Sequence, residues 1–167
     1  MSADFAIEPL SKKHLRENFD CGEESLNRFL RLYARQNIIS GLGKTFVALR
    51  PGESEVLGYH TISSGSISFE VLPRKMPRYP IPTAHLGRLA VDVRIQGQRL
   101  GELLLIDALE RIVLATAELG IYAVELYAIT EKAKQFYLKY GFVPLLDDDK
   151  HLYLPLETVR EAVLLKG

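Results

Sequence analysis

The chain is poor in several things that would have fixed its class at once. It has one cysteine, Cys21, so no intrachain disulfide can form, and a reducing compartment is expected. It has no charge of either sign in excess: Lys+Arg and Asp+Glu both number 21. Net neutrality argues against a protein that coats nucleic acid by bulk charge, though a local basic face remains open. No apolar run approaches the roughly 18–20 residues of a membrane span, and no N-terminal stretch reads as a signal peptide. The expectation is a cytoplasmic protein. No repeat or low-complexity segment is evident, and no Cys/His spacing suggests a metal site. What remains is 167 residues, 47% apolar and 25% charged, the balance of one globular domain over 1–167.

Hydrophobic periodicity divides the chain into alternating elements. Phe5 to Pro9 reads as a strand, and Ser11 as the cap of a short helix over Lys12 to Asn18. A second helix is expected from Glu23 to Ile38, with Leu26, Phe29, Leu30, Tyr33 and Asn37 on one stripe. Arg28, Arg31 and Arg35 form the opposite stripe, either a solvated charged face or a basic surface offered to a polyanion. "KTFVAL", "VLGYHTISSGSISF" and "AHLGRLAVDV" read as strands, with the proline-rich loop "LPRKMPRYPIP" before the third. "LGELLLIDALERIVLATAELG" reads as a largely buried helix ended by Gly120. "YAVELYAI" is a strand, Thr130 caps the helix "EKAKQFYLKY", and "LLDDDKHLYLPL" looks like a hairpin through a solvated turn at Asp147 to Asp149. A last amphipathic segment runs from Glu157 to Leu165, where Val159, Val163 and Leu164 suggest an interface. Strand–helix–strand order from Ala84 to Ala128 implies a parallel crossover, hence a mixed α/β sheet covered by helices.

The chemical signal lies at "QGQRLGELLL", Gln96 to Leu105, where a strand passes through Gly97 and Gly101 into a helix. A helix N-terminus leaves N–H groups unpaired and carries partial positive charge, so the junction suits a phosphate. Tight strand–helix packing is the alternative. Two other phosphate motifs fail. "SGLGKT" resembles the end of a P-loop, but Ile38 occupies the position of the required earlier glycine, and the strand–helix order is reversed. G-x-G-x-x-G is absent from Gln96 to Gly101.

"GRLAVDVRIQGQRLGELLLIDAL" resembles the acetyl-CoA segment of the GNAT superfamily of N-acetyltransferases, whose pattern is Q/R-x-x-G-x-G/A. Gln96, Gly97, Gln98, Leu100 and Gly101 fit it, and Arg99 stands where the pattern has its first glycine. "AKQFYLKYGFVPL" resembles the family's second landmark through Ala133, Phe136, Tyr137, Gly141 and Phe142. "FDCGEESLNRFL", "GYHTISSGSI" and "PIPTAHLGRLAVD" are similar to the GNAT toxins of type II toxin–antitoxin pairs. The resemblance implies a GNAT fold: a mixed sheet of about six to seven strands flanked by helices, splayed between the fourth and fifth. It also implies acetyl-CoA as cosubstrate, the α-amino group of aminoacyl-tRNA as acceptor, an antitoxin of ribbon-helix-helix type, and often a homodimer. Two alternatives stay open: a GNAT acting on a small-molecule or protein amine, and a GNAT-fold protein impaired in CoA binding that works through a partner.

By that resemblance Leu89, Ala90 and Val91 would pair with the pantetheine arm. Gln96 to Gly101, Arg99 included, would hold the pyrophosphate, with Ala133 and Phe136 completing the cofactor site. Tyr137 would give the leaving thiolate its proton, with Tyr140 as the second choice. Arg28, Arg31, Arg35, Lys44, Arg74, Lys75 and Arg78 would meet tRNA phosphates. An α-amino group titrates near ~8 and lysine near ~10.4, so an aminoacyl ester amine needs little help from a base. His85, His60 and Glu125 are the nearest candidates for one, each expected to be structural, and Cys21 is not expected to act as a nucleophile.

Overall fold

The computed structural model describes residues 4–166, apart from the side chains of 164–166. Seven strands run in the order β1-β2-β3-β4-β5-β7-β6: β1 (Ala6–Pro9), β2 (Lys44–Leu49), β3 (Gly58–Ile67), β4 (Ile81–Val91), β5 (Ala123–Tyr127), β6 (Val143–Pro144) and β7 (His151–Pro155). The helices are α1 (Glu24–Arg28) and α2 (Ala34–Ile39), joined by a π turn over Phe29–Tyr33, then α3 (Leu100–Ala115), α4 (Glu131–Lys139) and α5 (Leu156–Lys166). The strand bounds follow the period-2 segments of the sequence closely, β2 coinciding with "KTFVAL". Two compact units are formed, residues 1–63 with 87–108, and residues 64–86 with 109–167.

In the first unit β1, β2 and β3 pair antiparallel. Their core gathers Phe19, Phe29 and Tyr59, with Phe19 edge-on to Tyr59 at 5.6 Å and Phe29 stacked on it at 6.2 Å. The Tyr59 hydroxyl donates to Leu26 O at 2.7 Å, so this large ring is buried without leaving a polar group unpaired. The expected short helix at Lys12 to Asn18 does not form. The Ser11 N–H donates to His14 Nδ1 at 3.0 Å, and His14 Nε2 bonds the Glu8 carboxylate at 2.7 Å. Leu15 forms a parallel bridge with Glu55. Leu15 donates to Ser54 O at 2.9 Å and accepts from Val56 N at 3.0 Å, so the backbone at the middle of the segment bonds outward and a helical ladder is interrupted there.

The helix from Glu24 is also more irregular than its periodicity. The π turn inserts an extra residue per turn, so the buried stripe moves from Leu26, Phe29 and Leu30 to Ala34, and Tyr33 is turned out, 48% exposed. Arg16 steadies the turn by donating to Leu30 O at 2.9 Å. A uniform 3.6-residue count over Tyr33 and Asn37 fails for that reason.

In the second unit β5, β7 and β6 pair antiparallel, and β5 pairs in parallel with β4 over Thr83–His85 and Ala123–Glu125. The α3 helix ends at Ala115, ahead of Gly120: Thr116 still bonds Ile112 O through both its N–H and its hydroxyl, but Ala117 N–H bonds Leu114 O, three residues back, at 3.4 Å. It is buried on one stripe, Leu100, Leu104, Leu105, Ala108 and Ile112, while Leu114 is exposed. Thr130 caps α4 as expected, accepting from Ala133 N at 3.1 Å. Val159, expected at an interface, is instead buried in this unit, and the Leu164 side chain lies outside the described residues.

Candidate active site

The loop between β4 and α3 is held from below and open above. Gln96 to Arg99 are exposed, and a side chain at Gly97 would meet nothing within 4 Å. Gly97 has φ of 90° and Arg99 of 67°. Two left-handed residues bend the chain sharply into the N-terminus of α3, whose first N–H groups face outward by construction. Arg99 therefore occupies a conformation that glycine adopts without strain and arginine does not. Its side chain turns away from the loop and pairs with Glu102. Glu102 is the acidic residue in the first turn of α3, where its charge would repel an arriving phosphate. The guanidinium neutralises it, so a basic side chain has a use where the family pattern has glycine. Replacing Arg99 by glycine should relieve about 1 kcal/mol of backbone strain and raise the melting temperature, yet weaken acetyl-CoA binding several-fold by removing the guanidinium beside Glu102. Calorimetry and titration on the same preparation would read both.

Beneath the loop lies an anchor that sequence reasoning passed over. Asp92, immediately after β4, is fully buried. Its carboxylate accepts from Arg94 N at 2.9 Å, Arg94 Nε at 2.8 Å, Arg94 Nη2 at 2.9 Å and Asp20 N at 3.1 Å. Burial pushes the Asp92 carboxyl up, but these bonds outweigh it and hold the group below its usual range. Val93 N returns a bond to Asp20 O at 2.8 Å. Asp20 in turn accepts from Asn27 Nδ2 at 3.0 Å, and Cys21 N donates to Asn27 Oδ1 at 2.8 Å. The "FDCG" segment thus clasps the start of the loop. Gln96, expected to face the cofactor, donates to Val91 O at 3.1 Å and braces the loop onto β4. Cys21 is half-buried with its thiol pushed up by burial, the opposite of an activated nucleophile.

In the second unit Tyr137 sits on α4, 7% exposed, edge-on to Phe136 at 5.2 Å and to Phe142 at 5.6 Å. Burial pushes its phenol well above the ordinary tyrosine range. Among the described residues no group bonds its hydroxyl, which a merely structural buried tyrosine would require. Ala133 and Phe136 are half-buried on the same helix, and Tyr140 tilts against Phe136 at 5.2 Å.

The same unit contains a chain of four ionisable groups. His85 Nδ1 bonds Glu125 Oε1 at 2.8 Å, Glu125 Oε2 bonds His151 Nε2 at 2.6 Å, and His151 Nδ1 bonds Asp147 at 2.9 Å. Burial pushes the Glu125 carboxyl up, but His85 and His151 more than offset this and hold it low. Asp147 is therefore no free solvated turn residue. Asp149 pairs with Lys134 at 3.3 Å, and Asp148 Oδ1 accepts from Lys150 N at 2.9 Å. Among the described residues no group of three or more His, Cys, Asp or Glu could hold a metal.

The basic residues are unequal. Arg28 is exposed and bonds none of the described residues, whereas Arg31 donates to Phe19 O at 3.1 Å and pairs with Glu24 at 3.1 Å. Arg35 is half-buried near Arg16, and Lys44 is exposed at the start of β2. Arg74, Lys75 and Arg78 are exposed in the second unit, with Arg74 reaching the Tyr122 hydroxyl at 3.4 Å and Arg78 stacked 5.3 Å over Phe69. Arg88 was not singled out from the sequence; its guanidinium lies 3.5 Å over the Phe29 ring.

A mixed sheet, a strand-to-helix anion cradle and a buried tyrosine with a free hydroxyl are the parts of a transferase. The family profile described as the acetyltransferase (GNAT) domain matches residues 42–144, and the chain belongs to the GNAT acetyltransferases. It is 36% identical over 150 residues to a tRNA-acetylating toxin of Mycobacterium tuberculosis, covering 87% of this chain and 89% of that protein. Among solved structures it resembles AtaT complexed with acetyl-methionyl-tRNAfMet, with a TM-score of 0.88, 31% identity and coverage of 96% of this chain and 99% of the other. It also resembles a Tyr-to-Phe mutant of AtaT bound to acetyl-CoA and the C-terminus of the antitoxin AtaR, with a TM-score of 0.83, 30% identity and coverage of 96% and 98%.

Proposed function

We propose that this acetyltransferase moves the acetyl group of acetyl-CoA onto the α-amino group of aminoacyl-tRNA, as a translation-blocking toxin silenced by a cognate antitoxin. The observation that carries the reading is the likeness to a tRNA-acetylating toxin over 87% of the chain. The exposed loop fits a diphosphate, since its N–H groups face outward, Gly97 leaves its approach open and Glu102 is neutralised. Leu89 to Val91 would align the pantetheine arm, and Gln96 to Gly101 would receive the pyrophosphate. Ala133 and Phe136 would line the site beside Tyr137. Acetyl-CoA supplies the thioester. Tyr137, protonated throughout the working pH range, is the donor to the departing sulfur. The whole of 1–167 acts as one acetyltransferase domain. A ribbon-helix-helix antitoxin, a homodimer and a cytoplasmic setting complete the reading. No helix among the described residues is long and apolar enough to cross a membrane.

Incubation with labelled acetyl-CoA and charged total tRNA should place the label on N-acetyl-aminoacyl-tRNA. Label on small amines or proteins with none on tRNA would overturn the acceptor. Arg28 and Lys44, with Arg74, Lys75 and Arg78, are the candidate phosphate contacts, Arg35 contributes from its half-buried position, and Arg31 acts through the fold. Arg28→Glu should raise the KM for charged tRNA about tenfold at low salt and reduce the slope of log affinity on log salt by roughly one. An unchanged slope would remove Arg28 from the interface.

A further inference from the structure

We propose that His85 is the proton acceptor for the attacking amine, held in its working tautomer by Glu125, His151 and Asp147. The inference rests on the acetyl-transfer reading above. His85 lies on β4 in the parallel pairing with β5, directly opposite Glu125. Its side chain is 33% exposed, while Glu125 is 6% exposed and His151 5%. One end of the imidazole is thus fixed in a dry setting and the other meets solvent.

The hydrogen bonds set the protons. Ionised carboxylates only accept. Both ring nitrogens of His151 face carboxylate oxygens, at 2.6 Å to Glu125 and 2.9 Å to Asp147, so the ring links the two carboxylates and fixes Glu125 Oε2. Tyr127 stacks on the His151 ring at 3.9 Å and holds its plane. The remaining Glu125 oxygen accepts from His85 Nδ1 at 2.8 Å. That bond puts the His85 proton on Nδ1 and leaves the Nε2 lone pair directed outward, bonded by none of the described residues. A carboxylate behind an imidazole both fixes this tautomer and stabilises the imidazolium once a proton is taken.

The neighbouring strand packs closely against this face of β4. On the neighbouring strand Gly65 has no side chain, and a Cβ there would come within 3.0 Å of Thr83 Oγ1 and 3.3 Å of His85 Cβ. The Thr83 hydroxyl, on the same face of β4 one pleat before His85, is buried with no hydrogen-bond partner among the described residues. The ionisable groups facing His85 are Glu125 on β5 and, behind it, His151 on β7 and Asp147 ahead of β7; Gly65 of β3 contributes none.

In the step itself the amine nitrogen bonds to the thioester carbonyl carbon and the carbon–sulfur bond breaks. The proton shed by the nitrogen goes to His85 Nε2, and the sulfur takes the Tyr137 proton. His85 then releases its proton to solvent and Tyr137 regains one, leaving amide and thiol. An aminoacyl ester amine can react unaided, but at or below its own pKa the ammonium form must first lose a proton, and a neighbouring imidazole removes it.

The test is the pH profile of kcat/KM with acetyl-CoA and charged tRNA. His85→Gln should lose about 100-fold near neutrality, with the deficit shrinking as pH rises and the amine deprotonates by itself. Acetyl-CoA affinity and melting temperature should hold. Added imidazole should restore part of the rate to His85→Ala. Glu125→Gln removes the charge that favours the imidazolium, so the acidic limb should move to lower pH with a lower plateau. An active wild-type enzyme matched by His85→Gln at every pH overturns the proposal. So does a loss that is independent of pH, is not rescued by imidazole and comes with a lower melting temperature, for then the His85–Glu125 pair only ties β4 to β5. A wild-type protein that acetylates no charged tRNA overturns the acceptor reading and this inference together.

Discussion

Tyr137→Phe should lower kcat for acetyl transfer by about 100- to 10,000-fold, leave acetyl-CoA affinity unchanged, and cost no stability. The three readouts belong together. A buried tyrosine that bonds a structural partner loses stability when its hydroxyl is removed, because that partner is left unsatisfied. Here no described group bonds the hydroxyl, and the ring is held by Phe136 and Phe142, contacts that phenylalanine keeps. The melting temperature should therefore stay level. A phenol raised by burial is a weak acid in isolation, but the same desolvation raises the proton affinity of the departing thiolate. Stopped-flow or discontinuous assay of acetyl transfer, with calorimetric binding of acetyl-CoA, reads all three. Full turnover in Tyr137→Phe would remove the role, and Tyr140→Phe in parallel tests the second tyrosine.

Asp92→Ala should have the largest effect on stability of any single change at the site. The substitution leaves the Asp20 N–H and the Arg94 N–H facing a cavity and abolishes a bidentate ion pair. The Arg94 side chain is 47% exposed and can return to water, so its share is modest. Losing the buried, charge-assisted bonds should still cost roughly 3 kcal/mol, a fall of about 6–12 °C in melting temperature for a chain of this size. Acetyl-CoA affinity should drop with it, since the loop before α3 is anchored there. The pH dependence has a definite sign. The folded-state pKa of Asp92 is depressed, so its contribution is present above the unfolded value of about 3.9 and is lost as pH falls through the folded value. Glu125 is depressed in the same direction. Wild-type stability should therefore hold from neutrality to about pH 4 and then fall, and Asp92→Asn should flatten that acid limb. Melts from pH 3 to 8 check it, and an unaltered acid limb would mean that Asp92 carries no net stabilisation.

Both predictions concern residues of very different visibility in the sequence. Tyr137 was legible because α4 announces itself through Thr130, a regular apolar face and Gly141, and because the helix resembles a family landmark. Asp92 stood inside "LAVDV" without comment. Nothing in local patterning reveals that Asp20 and Arg94 converge on one carboxylate, since the contact with Asp20 spans 72 positions. His85 and Glu125 were seen as two titratable residues among many. Their separation of 40 positions becomes a hydrogen bond only because β4 and β5 run parallel in that register.

The sequence by itself determined the alternation of strands and helices, the parallel crossover, the glycine-bent junction before α3 and the family, because these depend on local periodicity, turn chemistry and short motifs. The tertiary structure decided the rest. It replaced an expected helix at Lys12 to Asn18 with backbone bonds from Leu15 to Ser54 and Val56, and moved the core stripe of α1 and α2 by one π turn. It tied Arg31 into the fold while leaving Arg28 free, and set Arg99 against Glu102. It joined His85, Glu125, His151 and Asp147 into one hydrogen-bonded row. Each depends on the meeting of residues distant in the chain or on a carbonyl or charge that must find a partner once buried, and neither is written in the spacing of one segment.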